Sequence, residues 1–438
     1  MNIQWKLYLG RSGYIFDLYS IQFMTIHNKL IALPQTLSYY RCALKHSGSR
    51  RCFPHAQNTI LIDRDGIAKP DQWATQDSLT WWNNDGMGRW FKTNYPKIQD
   101  GIARLPLSFT TRKAITRTFH IKTQEDVLSQ TKIFRPYTRA FAWNVLFSLV
   151  NAAYIQATSS ISLFEQVCLR RANPLLDPFY HIKREENAQA FRKLPNIISE
   201  LQKEEKDTSL HSLLLGIKIA AIGNAIDQFR TALPEDSSVY DLVDHRPKII
   251  QLLTIAPPSS MGIAYFTDNA GEIMSDLVLM HMFLALGFNV VIFAKDRPYM
   301  VKDVMALEIP YLMYRYDEVL GKMFPHQPNF FHYLRKERIR TSTHPFTTSG
   351  LGFSSLRGLG FGRSLKKQGF DLAIFKGEAW IEQITDIHKL AKDSKVDNPW
   401  QLPICSLHVV KNEDVVFDIN SVDLDMERKP VIMRLLAV

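Results

Sequence analysis

The stretch AYFTDNAGEIMSDLVLMHMFLALGFNVVIFAKDRPYMVKDV, residues 264–304, decides the fold. An apolar run stops at Asp268 and Asn269, a helix-like segment follows, and a second apolar run ends shortly before another acid, Asp303. Residues 262–267 read as a buried strand and 271–286 as a helix, with Gly271 easing the turn and Gly287 ending the helix. A second strand at 289–294 then runs parallel to the first. Asp268 and Asn269 therefore leave the carboxyl end of one strand, and Asp303 lies on the loop after the next. That edge is where open α/β sheets bind their ligands.

Hard oxygen donors on two adjacent loops suit a single divalent cation. The side chains of Asp268, Asn269 and Asp303 favour magnesium or manganese over zinc. A plainer role also fits, with Asp268 or Asn269 capping the helix and Glu272 in its first turn favoured by the helix dipole. Two further apolar runs end in lysine. DLAIFKGEAW leaves its strand at Lys376-Gly377, and SLHVVKNEDVVF carries Lys411 in or just after another. A lysine beside glycine offers charge and an uncrowded backbone to an anion, so two of them facing an acidic corner make a phosphate site. Each lysine alone reads more readily as a solvated loop residue, but acid, amide and lysine at separate strand ends favour the site.

Outward from this stretch the chain divides by pattern. Residues 61–255 read as a helical domain, because SLTWWNNDGMGRWFKTNYPKIQDGI, AFAWNVLFSLVNAAYIQATSSISLFEQVCLRRA and HSLLLGIKIAAIGNAIDQFRTAL space their apolar residues by three and four. Pro257-Pro258 punctuates the change. Over 256–438, the runs GIAYFT, NVVIFA, DLAIFK and ICSLHVV alternate with helical segments. The expected fold class is α/β, a mostly parallel Rossmann-like sheet with helices on both faces, preceded by an all-helical N-terminal domain. The Gly- and Ser-rich RTSTHPFTTSGLGFSSLRGLGFGRSLKKQ reads as a long loop or flap, and it lacks the GK[ST] of a phosphate loop.

Composition narrows the function classes. A chain of 438 residues, 46% hydrophobic, supports two to three domains with buried cores. Its +10 charge is uneven: residues 1–60, a basic and poorly patterned extension, hold seven basic residues against the single acid Asp17. No nucleic-acid partner is expected, since no recognised module with stacking aromatics accompanies the basic residues. Cys42, Cys52, Cys168 and Cys405 are widely spaced without a C-x-x-C pair, which argues against a zinc site or secreted disulfide framework and for a reducing, cytoplasmic compartment. No apolar window reaches the roughly 18 residues of a membrane span. MNIQWKLYLGRSGYIFDLYSIQFM resembles a transit peptide only loosely, leaving organellar targeting as an alternative and Met24 as a second candidate start.

The order of these motifs resembles the metal-dependent damage-control phosphatases, a former domain of unknown function that includes a protein also described as an acidic residue methyltransferase. DNAGEIMSD resembles the DN-x-G-E...D helix start of that family, and KDRPYMVKD its K-x-x-P-x-x-x-x-D loop. IFKGEAW is similar to the FKG-x-x-N strand end, SLHVVKNEDVV to the closing R-T-x-K segment, NPLLDPFYHIKREENAQA to DPF...K, AAIGNAIDQF to GN-x-x-D, and FKTNYPKI to R-x-P-x-I. The resemblance covers about residues 75–420. It implies a divalent metal (Mn, Mg, Co or Ni) on Asp268, Asn269 and Asp303, with Asp268, Asp303 and Lys376 in the chemistry. It further implies Lys376, Lys411, Asn224, Asp227 and Glu272 around a small phosphorylated metabolite.

Two departures stand out. Trp380 replaces the asparagine of the FKG motif, and His408 and Val409 replace the Arg and Thr of the closing segment. An indole offers one donor and a broad apolar face, so Trp380 is expected to favour a substrate with a flat or apolar portion. Asp177, before Pro178, reads as a helix N-cap, while His181 and His281 read as packed or solvated. The expected function is a metal-dependent phosphatase of metabolite repair. A carboxyl methyltransferase using S-adenosylmethionine lacks its Gly-rich loop here, and a non-catalytic binding protein is the third class.

Overall fold

The structure is a computed structural model that describes residues 86–105, 107–127, 177–203, 209–226, 239–295, 302–323, 327–343, 356–377, 401–409 and 429–436. Trp380 and some positions between 146 and 161 are also described. Near the N-terminus, α1 (Gly86–Ala103) and α2 (Phe109–Lys122) bury Trp90, Ile98, Ile102, Ile115 and Phe119 in a core of their own, which Leu146, Val150 and Tyr154 join. Ser108 starts α2 by accepting a hydrogen bond from the Thr111 N–H, satisfying one of the unpaired donors of the first turn.

The next helices, α3 (Tyr180–Lys203) and α4 (Ser209–Ile226), belong to the larger core that covers the sheet. After them come β1 (Val239–Asp244), α5 (Arg246–Leu253), β2 (Gly262–Phe266), α6 (Ile273–Ala285) and β3 (Asn289–Ala294). Then follow α7 (Ile309–Met323), α8 (Phe330–Arg335), β4 (Ile339–Thr343), α9 (Leu356–Lys367), β5 (Phe370–Lys376), β6 (Ile404–Val409) and β7 (Lys429–Leu436). The seven strands form one sheet in the order β1-β7-β6-β5-β2-β3-β4. All neighbours pair parallel except β6 and β7.

Successive strand residues point to opposite faces, and the burial follows that alternation. Ile263 and Tyr265 of β2 join the core under α3, α4, α6 and α7, whereas Ala264 and Phe266 join a second cluster with Phe293, Phe375, Trp380 and Leu365 of α9. Helices therefore cover both faces, as expected. The strands at 262–266 and 289–294 stand where the apolar runs placed them, in parallel register with Gly262 opposite Asn289 and Phe266 opposite Phe293. On the other side of β2, Phe266 sits opposite Phe375. The chain therefore leaves β2, β3 and β5 at one level along the same edge.

Three strands escape the sequence reading. β1 precedes Pro257-Pro258 and pairs with β7, which ends the described chain, while β4 closes the opposite edge. The Gly-rich segment expected as a loop starts within β4 and holds a helix: α9 forms across its glycines because Leu365 buries its side chain against the sheet, a tertiary gain that exceeds the intrinsic cost of glycine in a helix. Residues 344–355 of that segment lie outside the described residues.

Candidate metal and phosphate site

The acidic corner is assembled by backbone hydrogen bonds. Residues 302–306 return between the ends of β2 and β3, where Val304 N–H donates to Asp268 O at 2.9 Å and Ala270 N–H to Lys302 O at 2.9 Å. Asn269 and Asp303 form an antiparallel bridge. On the β3 side, Lys295 N–H donates to Val304 O at 3.2 Å and Ala306 N–H to Lys295 O at 2.8 Å. The loop bearing Asp268 and Asn269 and the loop bearing Asp303 are thus joined into one structure at the carboxyl edge. Both acids are nearly removed from water, Asp268 at 9% and Asp303 at 4% exposure.

Asn269 organises its neighbours rather than capping the helix. Its amide donates to Asp268 Oδ2 at 3.2 Å and to Glu272 Oε1 at 3.1 Å, which uses both amide hydrogens and leaves the carbonyl oxygen as its donor toward a cation. Glu272 itself stands at the N-cap of α6 without a side-chain cap bond. Gly271 takes φ +81°, and its N–H donates to Asn187 Oδ1 of α3 at 2.8 Å, so the helical layer grips the turn directly. At the end of β5, Gly377 has φ +101°, and a Cβ there would collide with the Asp268 carboxylate. The glycine of the FKG motif is therefore a packing requirement of the acid opposite.

Lys376 is fully buried and turns toward the helices. Its ammonium donates to Ala220 O of α4 and lies 3.8 Å from Asp276 Oδ1 and 4.0 Å from Glu272 Oε2. Tyr265 OH donates to the same Asp276 oxygen at 2.8 Å. Burial pushes the Asp276 carboxyl up to about 7, against the opposing pull of Lys376 and the Tyr265 hydrogen bond. Gly223 of α4 is the counterpart of Gly377, since a Cβ there would strike Ser275 Oγ and stand 3.0 Å from Lys376 Nζ. The glycines of two motifs thus make room for the two charged groups of the site.

The remaining expected residues divide. Asn224 lies in the last turn of α4, beside Gly223, and its side chain, like Asp227 and Lys411 as a whole, lies outside the described residues. Trp380 does not meet the site's solvent side: it is 1% exposed and packs against Phe266 and Phe375. His408 and Val409 are buried in β6, where Ser406 Oγ is 3.1 Å from His408 Nδ1. The expectation that Trp380 selects a flat substrate is therefore corrected, because beyond the end of β5 its ring packs into the apolar cluster of Phe266, Phe293 and Phe375. His281 packs among Tyr316, Phe330 and Tyr333 and hydrogen-bonds Pro328 O, with burial lowering its pKa.

Lys295, Lys183 and Glu308 had no role in the sequence reading. Lys295, which opens the K-x-x-P-x-x-x-x-D loop, places its ammonium 3.7 Å from Asp303 Oδ2. Asp177 does cap the start of α3, accepting from Phe179 N–H at 2.8 Å, but its other oxygen pairs with buried Lys183 at 3.0 Å. Lys183 also pairs with Glu308 at 2.8 Å, and Glu308 accepts from Met305 N–H. Burial works against the Lys183 charge, yet Asp177 and Glu308 together hold its pKa above the ordinary lysine value.

The donor chemistry fits a hard divalent cation. Asp268, Asp303 and the Asn269 amide are all-oxygen donors, and buried Glu272 Oε2 has no hydrogen-bond partner. Among the described residues no group of three or more His, Cys, Asp and Glu gathers as a metal cluster. A cation held by two carboxylates and an amide would draw its other ligands from water or a phosphate, the usual arrangement for magnesium-like ions.

A solved structure of a DUF89 family protein from Pyrococcus horikoshii is similar at 16% identity and TM-score 0.42, covering 78% of this chain and 93% of that one. No curated protein matches the chain. Among the described residues no helix is long and apolar enough to cross a membrane. The model of the damage-control phosphatase ARMT1-like domain matches residues 110–424, and the chain belongs to that family.

Proposed function

We propose that this protein is a metal-dependent phosphatase of metabolite repair, hydrolysing a small phosphorylated metabolite of the sugar phosphate type. The observation that carries the reading is the joining of the Asp268-Asn269 and Asp303 loops by backbone hydrogen bonds at the carboxyl edge of the sheet. Asp268, Asn269 and Asp303 would hold the cation, which supplies Lewis-acid polarisation of a phosphoryl oxygen when bound. Asn269 keeps the Asp268 and Glu272 carboxylates apart and oriented through its two amide hydrogen bonds. Lys376, fixed by Ala220, Glu272 and Asp276, contributes a positive charge behind the site. Charge held in a buried setting acts more strongly on developing phosphate charge than the same charge in water. Lys411, Asn224 and Asp227 complete the proposed phosphate-binding set, and the reducing compartment implied by the cysteines is the cytoplasm.

The test is a panel of phosphate esters with magnesium, manganese, cobalt and nickel, beside a chelated control. Phosphate release is expected only with metal, and Asp268→Asn or Asp303→Asn should lower it by about a hundredfold or more. A folded protein that releases no phosphate with any metal, or that transfers a methyl group from S-adenosylmethionine without one, overturns the proposal.

A further inference from the structure

We propose that Lys295 is a built-in counter-ion of the acidic corner, a positioning residue that sets how tightly the corner holds a divalent cation. The inference rests on the metal-dependent reading above. The Lys295 backbone is hydrogen-bonded on both sides to the segment that carries Asp303, through Val304 O and Ala306 N–H. Its ammonium lies 3.7 Å from Asp303 Oδ2, and both side chains are buried. The Trp380 ring stands against the same ammonium, with its centroid 5.9 Å from Nζ. That indole packs against both Phe266 and Phe375 and is itself buried. An ammonium over an aromatic face is held by the ring quadrupole.

A lysine confined in this way has two opposite effects. Without a cation, it offsets the negative charge of buried Asp303, the nearer ammonium-to-carboxylate distance being 3.7 Å. With a cation bound, it becomes a like charge a few ångströms away and weakens the binding. Lysine and cation therefore compete for one carboxylate, and the protein trades metal affinity for stability of the metal-free state.

The test is calorimetric titration of Mn²⁺ alone into the full-length protein at pH 8, with melting temperatures in chelator and in saturating Mn²⁺. Lys295→Met is expected to bind Mn²⁺ about tenfold more tightly than wild type. The same variant should melt lower than wild type in chelator and regain most of that difference in Mn²⁺. Lys295→Arg, which keeps the charge, should hold Mn²⁺ with wild-type affinity. Trp380→Leu, which loosens the lysine without removing it, should tighten Mn²⁺ by less, and it stands in if Lys295→Met does not fold. Unchanged or weaker affinity in the variants that fold overturns the inference while leaving the phosphatase reading intact. An equal melting loss with and without Mn²⁺ shows a packing role only and also overturns it. If neither wild type nor any variant binds Mn²⁺, the inference and the metal-dependent reading fall together.

Discussion

Gly377 and Asp276 show how single positions carry the site. Because a Cβ on Gly377 would occupy the space of the Asp268 carboxylate, and φ is +101° there, Gly377→Ala should weaken Mn²⁺ binding by about tenfold or more at a modest loss of stability. Calorimetry beside a thermal melt checks this, and unaltered affinity would show that Asp268 is not held in place by this packing. Asp276 gives a pH dependence. Burial raises its folded pKa to about 7, and Tyr265, Lys376 and Glu272 are the titratable groups facing it. A carboxyl with a raised folded pKa stabilises the fold below its unfolded pKa near 4 and loses that contribution as pH rises through 7. Asp276→Asn should therefore compare more favourably with wild type at pH 8 than at pH 5, measured by denaturant midpoints. Parallel midpoints would mean that Asp276 stays ionised in both states. Sequence spacing marked Asp268, Asn269 and Asp303 but left Lys295 and Asp276 without roles, because each depends on a partner distant in the chain: Trp380 for Lys295, and Lys376 for Asp276.

The elements meet through buried polar contacts. Lys183 of α3 joins Asp177 at the helix start to Glu308 before α7, and Glu308 holds the Met305 N–H of the segment that also carries Asp303. Removing only the lysine leaves two buried carboxylates uncompensated, so Lys183→Met should destabilise the protein by ~3–5 kcal/mol. Combining it with Asp177→Asn and Glu308→Gln should recover a large part of that loss. Urea midpoints decide it, and a single variant as stable as wild type would remove the network from the stability of the fold. Element type was legible where apolar runs were short and pure, as in β2 and β3. It was not legible in α9, where glycines read as a loop, nor in β1, whose VYDLVD mixes acids among its apolar residues. Burial against a partner surface decided both, and that surface is built by distant strands and helices.

At the scale of the whole molecule, the sheet recruits strands from both ends of its region. β1 lies before Pro257-Pro258 and β7 at the end of the described chain, and they pair with each other while His245 N–H donates to Met433 O. The apolar helix α4 packs on α6, β6 and β7, so its removal exposes that core. Residues 256–438 expressed alone should therefore show no cooperative thermal transition by circular dichroism, whereas the full chain should. A sharp transition in the fragment would support the composition shift at Pro257-Pro258 as a domain boundary. The sequence by itself determined local features: that the four short apolar runs of β2, β3, β5 and β6 are strands, that Asp268, Asn269 and Asp303 leave adjacent strands at one edge, and the motif order of the family. The first two follow from side-chain period and turn chemistry over short stretches, whereas the motif order is a resemblance spread over about residues 75–420. Only the tertiary structure decided which way the charged side chains point. Lys376 turns into the helices, Trp380 turns into the core, and Lys295 turns onto Asp303. Those directions are set by close packing and by the need to compensate buried charge, and both depend on neighbours that meet only once the sheet is closed over by its helices.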